Sequence, residues 1–303
     1  MANYTEIIEG RGTPNGAVLL DISHRSKEYI LQKLPRMYRQ FLESQMLDIS
    51  QKPMEVAPTA HYSMGGVVVE PDTGATQVVG LYAAGEVTSG LHGANRLGGN
   101  SLAETVVFGR RAGEAAARYA QNIPAQHRSN PVIRAAYEDL DHLIQPGTEI
   151  ARPLQRAVRD TMWECCGVVR SGERLQEGLE RLLNLRAATQ ALDVRPSAEG
   201  YQDLALALDL RAALTAAEAT VRSAIERRES RGAHQRSDFP NVDDTLRVNF
   251  IIGLNGERQI GAADTTSARS SHRTGNVDAR PSAGSGWSAS RITQSHLFIR
   301  RGR

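Results

Sequence analysis

GLYAAGEVTSGLHGANRLGGNSLAETVVFGRRAG, residues Gly80 to Gly113, is the stretch that decides the fold of this chain. It opens with a short apolar run bounded by glycines, which predicts a buried strand over residues 80–85. It closes with an alanine-rich run whose apolar residues recur at near-helical spacing, which predicts a helix over residues 101–119. Glycines between the two let the backbone approach a ligand closely. The stretch therefore predicts a strand, a glycine-rich loop and a helix around a small-molecule site.

The start of the predicted helix has the residue types of an anion site. Asn100 and Ser101 are types preferred at a helix N-cap. The unpaired N–H groups there suit a phosphate, a carboxylate or the electron-rich edge of a reduced flavin. Glu86 closes the predicted strand, where an acidic side chain commonly takes a ribose hydroxyl. A glycine-rich turn that binds no ligand is the alternative, because strand, glycines and helix often follow one another.

Several motifs together resemble one flavoprotein family. They are HYSMGG at 61–66, GLYAAGE at 80–86, LHGANRLGGNSLAE at 91–104 and VVFGRRAG at 106–113. In combination they are similar to the flavoprotein subunit of succinate dehydrogenase and fumarate reductase, and more distantly to L-aspartate oxidase of the same superfamily. MWECCGVVRSGERL at 162–175 and RSDFPNVDD at 236–244 resemble the helical carboxy-terminal domain of that family. The resemblance covers about residues 2–260.

The resemblance implies a substrate site for a C4 dicarboxylate. The family's substrate histidine falls on His61 of HYSMGG, and its substrate arginine falls on Arg96 of HGANR. Both residue types suit the task, because a guanidinium offers a two-pronged donor to a carboxylate and a histidine donates to the other one. Without the motifs, His61 would be interpreted as a structural histidine and Arg96 as part of a surface salt bridge.

The resemblance also implies the cofactor FAD. The positions that match family contacts to FAD are Glu86, Ser101 and Leu102, with Asn100 beside them. His92 is expected to have a structural role. The implied reaction is the interconversion of succinate and fumarate by hydride transfer to the flavin.

Two parts of the family pattern are missing from the sequence. We find no G-x-G-x-x-G dinucleotide fingerprint, and the arginine that transfers a proton in the family is expected upstream of Met1, so no catalytic residue is assigned. We therefore expect an incomplete FAD site and no activity of the chain alone. A fragment of an L-aspartate oxidase and a non-catalytic remnant of a flavoprotein are the alternatives.

Partners and location follow from the same resemblance. It implies a separately encoded amino-terminal flavoprotein half, an iron–sulfur subunit, and a cytoplasmic location at the periphery of the cytoplasmic membrane through a complex. No run of 18 apolar residues is present, so no transmembrane segment is expected. No nucleic-acid partner is expected. No metal site is predicted, since Cys165 and Cys166 have no further Cys or His cluster beside them and are interpreted as free thiols.

The predicted fold class is α/β, as a partial FAD-binding domain, followed by an all-α helical bundle as the carboxy-terminal domain. The expected divisions are an FAD- and substrate-binding portion at 1–121, a linker at 122–130, a helical domain at 131–260 and a disordered tail at 261–303. Strands are predicted at 17–20, 66–69 and 77–81, and a helix at 27–44, in addition to those in the opening stretch.

Apolar stripes predict the helical bundle. Residues spaced by three or four follow one face of a long helix over about 201–228, namely Leu206, Leu210, Leu214, Ala217, Val221 and Ile225. A second helix carries Leu175, Leu179 and Leu182. The segment SRGAH, residues 230–234, is expected to end the long helix. Its Arg231 and His234 are candidates for holding the two domains together, and favourable interaction with the helix dipole is the alternative.

The last 43 residues differ in composition from the rest. Residues 261–303 contain seven arginines and two aspartates and are rich in serine and glycine, so the basic charge balance belongs to them. Such composition does not bury enough apolar surface to fold, which predicts disorder. Frameshifted or degenerate sequence is the favoured explanation. A basic segment that binds nucleic acid or an acidic membrane is the alternative.

Overall fold

The computed structural model describes residues 1–124, 129–195, 201–254 and 260–262. The chain divides into two compact units, residues 1–61 and residues 62–303. The described residues are mostly helical, and their strands form two short two-stranded sheets. Nearly all of the predicted disordered tail, and residues 125–128 of the predicted linker, lie outside the described residues.

The first unit combines three short helices with one antiparallel pair of strands. Its elements are α1 (Ala2–Ile8), β1 (Val18–Leu20), α2 (Lys27–Lys33), α3 (Pro35–Gln45) and β2 (Met54–Val56). In the sheet, Val18 pairs with Val56 and Leu20 with Met54. The buried side chains of Ile30, Tyr38, Ile49 and Met54 form the core of this unit. The predicted strand at 17–20 is therefore found, shortened by one residue.

The helix predicted over 27–44 is two helices, because a proline interrupts it. Pro35 occupies the first turn of α3, and Leu34 before it has φ −131° and ψ 44°. Proline lacks a backbone N–H and disfavours helical geometry in the residue before it. The same ring is well suited to the first turn of a new helix. Apolar spacing alone did not reveal this break.

The second unit begins with irregular chain where strands were predicted. The predictions for 66–69, 77–81 and 80–85 were wrong, since only single bridges form there, Val67 with Thr88 and Ala75 with Tyr82. Leu81, in the run expected to be buried, is 52 % exposed. A strand needs a neighbouring strand to pair its N–H and C=O groups. An apolar run in a sequence does not show whether such a neighbour is present.

Helix α4 (Asn100–Gln121) follows the glycine-rich loop. The predicted side-chain cap by Asn100 or Ser101 was wrong, because the helix already begins at Asn100 and its N-cap is Gly99, with φ +86°. Glycine adopts this left-handed geometry without steric cost. The buried residues of α4 are Glu104, Ala112 and Ala115, and they follow one face of the helix.

Three helices build the main hydrophobic core of the second unit. The helices after α4 are α5 (Asn130–Leu143), α6 (Ala151–Cys166), α7 (Gly172–Ala188) and α8 (Gln202–Glu226). Helices α6, α7 and α8 bury the largest cluster, which includes Val158, Leu175, Leu182, Leu210 and Leu214. The two predicted apolar stripes both lie in this core. Helix α5 has no buried residue.

Helix α8 ends at Glu226, earlier than predicted. The segment SRGAH therefore belongs to the irregular chain after the helix. That chain leads through a short 3-10 turn to β3 (Ile252–Leu254), which pairs antiparallel with β4 (Ile260–Ala262). Cys165 and Cys166 are buried free thiols, and burial raises the pKa of both.

Among the described residues, we find no helix that combines the length and the apolar character needed to cross a membrane.

Candidate functional site

Arg96 lies in the loop that precedes α4, and its guanidinium is held by a ring. The Cζ atom of Arg96 lies 4.7 Å from the centre of the Tyr62 ring, within cation–π distance. Its Nη1 donates to the carbonyl oxygen of Leu97 at 3.1 Å. Its Nε is buried and has no hydrogen-bond partner among the described residues. A buried N–H of a charged group is costly without an acceptor, so this edge of Arg96 is suited to an incoming anion.

A buried carboxylate lies behind the Tyr62 ring. Glu104 of α4 has a side chain 2 % exposed, and its Oε2 accepts a hydrogen bond from the Tyr62 hydroxyl at 2.5 Å. The same oxygen lies 2.9 Å from Nε2 of His92. The rings of Tyr62 and His92 meet edge to face, 5.2 Å apart. His92 thus has the structural position that was expected for it.

Burial and the neighbouring carboxylate keep the Tyr62 phenol protonated. Burial first, and then the hydrogen bond to Glu104, raise the pKa of Tyr62 to about 12. Both effects disfavour the phenolate, because it would place a second negative charge beside the carboxylate. Tyr62 is therefore a neutral donor to Glu104 over the physiological pH range.

Glu86 connects two of the sequence motifs. Its Oε1 accepts a hydrogen bond of 2.8 Å from the backbone N–H of Ser63 in HYSMGG. The Glu86 side chain is exposed. A contact of Glu86 with FAD stays a prediction, and the hydrogen bond to Ser63 shows that this residue also fixes the chain next to Tyr62.

The remaining predicted site residues are distributed along the chain. His61 is exposed and is the last residue of the first unit, whereas Arg96 belongs to the second. Asn100, Ser101 and Leu102 are the first three residues of α4, and the side chain of Leu102 points outward with 77 % exposure. Their roles in binding substrate and cofactor stay predictions.

The chain after α8 packs against the loop that carries Arg96. The backbone N–H of Ala233 donates to the carbonyl oxygen of Ala94 at 3.0 Å. A Cβ on Gly232, which has φ +60°, would lie 2.3 Å from the same oxygen. Only glycine allows so close an approach of two backbones. The backbone at 232–233 therefore supports the loop of Arg96 from the helical part of the unit.

Arg231 and His234 hold their own segment in place. Arg231 donates through Nε to Glu229 at 3.0 Å, and His234 Nδ1 lies 2.8 Å from Nη1 of Arg170 in the α6–α7 connection. Burial first, and then the charge of Arg170, lower the pKa of His234 to about 4. His234 is thus a neutral acceptor for Arg170. The role predicted for these two side chains in joining domains stays a prediction, and the backbone between them makes the contact to Ala94.

A small enclosed space lies beside Tyr62 and His92. Its volume is about 10 Å³, which is the size of a single water molecule. It is lined by the HYSMGG residues from Tyr62 to Gly65 and by residues Thr88 and 90–93. The described residues contain no cluster of His, Cys, Asp or Glu that could hold a metal ion.

Sequence reasoning missed Tyr62 and Glu104 as parts of this arrangement. The signal for Glu104 was available, because it shares a helical face with Ala112 and Ala115, at spacings of eight and three residues. A carboxylate on the inward stripe of an amphipathic helix is unusual and indicates a buried partner. Tyr62 has no comparable signal, since an aromatic residue beside a histidine is common.

Two family models match the chain. Residues 155–269 match the model described as fumarate reductase flavoprotein C-term, and residues 3–102 match the model described as FAD binding domain. The chain belongs to the family of fumarate reductase and succinate dehydrogenase flavoproteins. The resemblance stated from the motifs is thereby confirmed, and so is FAD as the cofactor of this oxidoreductase family.

Individual relatives agree with the family models. The chain is 41 % identical over 258 residues to a subunit of the fumarate reductase (CoM/CoB) of Methanothermobacter marburgensis, covering 85 % of this chain and 47 % of the relative. It is 36 % identical over 269 residues to the chloroplastic L-aspartate oxidase of Arabidopsis thaliana, covering 86 % and 40 %. The chain thus spans about half the length of the curated relatives it matches, or less.

A solved structure shows the same fold. The FrdA chain of E. coli quinol fumarate reductase matches with a TM-score of 0.78 and 32 % identity, over 86 % of this chain and 47 % of that one. The mostly helical architecture with small sheets is therefore that of a flavoprotein subunit of this family.

Proposed function

We propose that this chain forms the carboxylate-binding part of an FAD-dependent succinate dehydrogenase or fumarate reductase flavoprotein, with Arg96 as a ligand of a C4 dicarboxylate. The observation that carries the proposal is the Arg96 guanidinium, which is held over Tyr62 and keeps a buried Nε without a partner among the described residues. A guanidinium restrained in this way is prepared for a carboxylate before it arrives. His61 is the proposed second carboxylate ligand.

The finer division into a partial α/β FAD-binding domain and a helical carboxy-terminal domain is part of the proposal. Its support is the order of the two family models along the chain, with the FAD binding domain at 3–102 and the carboxy-terminal model at 155–269. The separate hydrophobic core of α6, α7 and α8 supports the helical part.

The residues around the start of α4 fit one side of a flavin. A Cβ on Gly93 or Gly99 would meet no described atom within 4 Å, so the backbone there is open to a ligand. The first turn of α4 carries no acidic residue, and its N–H groups favour negative charge. Asn100, Ser101 and Leu102 in that turn would hold the cofactor, with Glu86 as a further contact. When bound, FAD supplies the two-electron oxidant or reductant for succinate and fumarate.

Replacing Arg96 by lysine is expected to weaken succinate binding to the full chain at least about tenfold. A lysine keeps the charge but loses the planar two-pronged donor and its stacking on Tyr62. The measurement is a titration with succinate followed by calorimetry. Arg111→Lys on α4 is the matched control, because Arg111 is exposed and pairs with Asp72. Equal affinities of the Arg96→Lys variant and the unmodified chain would contradict the proposal.

The 303-residue chain by itself is expected to show no succinate oxidation or fumarate reduction, even with added FAD. It spans about half the length of its relatives and lacks the dinucleotide fingerprint that holds FAD in such folds. The loss of a positioned proton-transfer group alone costs about two to four orders of magnitude in rate. Dye-linked turnover and the flavin absorbance band of the purified chain are measured beside a full-length fumarate reductase flavoprotein. Turnover at a comparable rate would contradict the expectation.

We also propose further subunits as partners. The relative from Methanothermobacter marburgensis is named as one lettered subunit of its enzyme, and the E. coli match is the FrdA chain of a quinol fumarate reductase. By analogy, this chain would assemble with an amino-terminal flavoprotein portion and an iron–sulfur subunit.

An L-aspartate oxidase activity is the second candidate, supported by the 36 % identity to the Arabidopsis enzyme. It would use the same arginine for an amino-substituted dicarboxylate. Titration with L-aspartate beside succinate separates the two, since the preferred ligand binds more tightly to the unmodified chain.

A further inference from the structure

Glu104 is a carboxylate in a place where helices normally bury apolar side chains. Its side chain is 2 % exposed, and it lies on the face of α4 that also buries Ala112 and Ala115. Removing a carboxylate from water is costly unless donors replace the lost hydration. The groups that contact Glu104 therefore show what the charge is used to hold.

Both donors converge on one oxygen of Glu104. The Tyr62 hydroxyl donates to Oε2, and Nε2 of His92 lies 2.9 Å from the same atom. An ionised carboxylate only accepts hydrogen bonds, so the His92 proton must be on Nε2. The carboxylate thus fixes the direction of both rings.

The Tyr62 ring is restrained on three sides. Glu104 holds its hydroxyl, and His92 meets it at an interplanar angle of 83°. Arg96 lies over the ring with its Cζ 4.7 Å from the centre. A ring held at its tip and its edge has little freedom to rotate, so the surface that it presents to Arg96 is fixed.

Little else in the described chain orients the Arg96 guanidinium. Its side-chain hydrogen bond is to the carbonyl of Leu97, its own neighbour in sequence, and its buried Nε has no partner among the described residues. A contact to an adjacent residue moves with the loop. The Tyr62 ring is therefore the contact that relates the guanidinium to helix α4.

We propose that Glu104 is a positioning residue for Arg96 and acts through Tyr62. The buried carboxylate holds the phenol, the phenol ring holds the guanidinium, and the guanidinium keeps its free edge toward the ligand. Restraining a binding group in advance reduces the entropy lost when the ligand arrives. The inference rests on the proposed role of Arg96 as a carboxylate ligand and adds the residue that sets its orientation.

The test observes Arg96 directly in the full chain. Arginine Nε–H resonances are recorded by ¹H–¹⁵N NMR, and the Arg96 signal is assigned by its disappearance in Arg96→Lys. In the unmodified chain we expect it to be displaced from the other arginine signals, because the guanidinium lies over an aromatic face. Glu104→Ala is expected to return it to the ordinary range, and Glu104→Gln, which keeps an acceptor oxygen, is expected to restore part of the displacement.

A control separates positioning from general effects on the helix. Glu114→Ala removes an exposed carboxylate of α4 that pairs with Arg110, and it is expected to leave the Arg96 signal unchanged. Tyr62→Phe keeps the ring and removes the hydroxyl, so it is expected to move the signal in the direction seen for Glu104→Ala. This variant also decides the matter if Glu104→Ala does not fold. An unmoved Arg96 signal in folded Glu104→Ala, or in Tyr62→Phe, would overturn the proposal.

Succinate titrations of the same samples keep this proposal distinguishable from the proposed function. If succinate moves the Arg96 signal of the unmodified chain, the dissociation constant is expected to rise about tenfold in Glu104→Ala. An unchanged constant would count against the positioning role. If succinate and fumarate have no effect on the unmodified chain, the proposed function fails, and the NMR displacement alone decides whether Glu104 orients Arg96.

Discussion

Replacing Glu229 by alanine is expected to lower the free energy of unfolding by about 3–5 kcal/mol, as for the breaking of a buried ion pair. The Glu229 side chain is fully buried, and its carboxylate accepts from Arg227 at 2.6 Å and Arg231 at 3.0 Å. It also accepts from the backbone N–H of Asp243 at 2.9 Å. Alanine would leave two largely buried guanidinium groups and one N–H without this acceptor. Urea unfolding of the full chain, followed by circular dichroism, measures the change.

The pKa of Glu229 supports this expectation. Burial by itself raises it, but the hydrogen bonds from Arg231, Asp243 and Arg227 outweigh that effect and lower it below the ordinary value. The charged form is therefore the one that the fold stabilises. Glu226→Ala, at the exposed end of α8, is the matched control and is expected to change the stability by less than about 0.5 kcal/mol. A loss in Glu229→Ala no larger than in this control would show that the ionic cluster does not stabilise the segment.

Replacing Leu210 by alanine is expected to cost about 2–5 kcal/mol of the free energy of unfolding. Leu210 is fully buried in the core shared by α6, α7 and α8. The substitution removes apolar contacts and leaves a cavity that rigid helices fill only in part. Differential scanning calorimetry or urea unfolding of the full chain measures the loss.

Leu208→Ala is the control for the core prediction. Leu208 belongs to the same helix but is 40 % exposed, so alanine there keeps the helix propensity and removes little buried surface. Its effect is expected to be small beside that of Leu210→Ala. Equal losses for the two variants would mean that the α8 stripe does not form the core.

The helical part of the fold was predictable because its signal is local. The leucines of α7 and α8 recur at the helical period, and their burial follows directly from that spacing. The start of α4 was predicted to within one residue, although its cap is Gly99 and not a side chain. The strands at 66–69 and 77–81 failed because a strand depends on a partner distant in sequence.

The ionic cluster around Glu229 was not predictable in the same way. SRGAH was expected to end a helix, because basic residues near a helix end are favourable to its dipole. In the structure these residues follow the helix, and their charges meet a buried carboxylate that precedes them. Charge in a sequence does not show whether a side chain is solvated or buried.

The sequence by itself determined the family, the cofactor of that family, the helical stripes and the choice of Arg96, because motifs and periodicity are properties of neighbouring residues. Only the tertiary structure decided that Arg96 lies over Tyr62, and that Tyr62 and His92 share one oxygen of Glu104. These contacts join residues 12 to 42 positions apart, so they depend on how the loop of Arg96 folds back onto α4. The backbone contact of Ala233 with Ala94 has the same origin, since no pattern in either segment indicates that they meet.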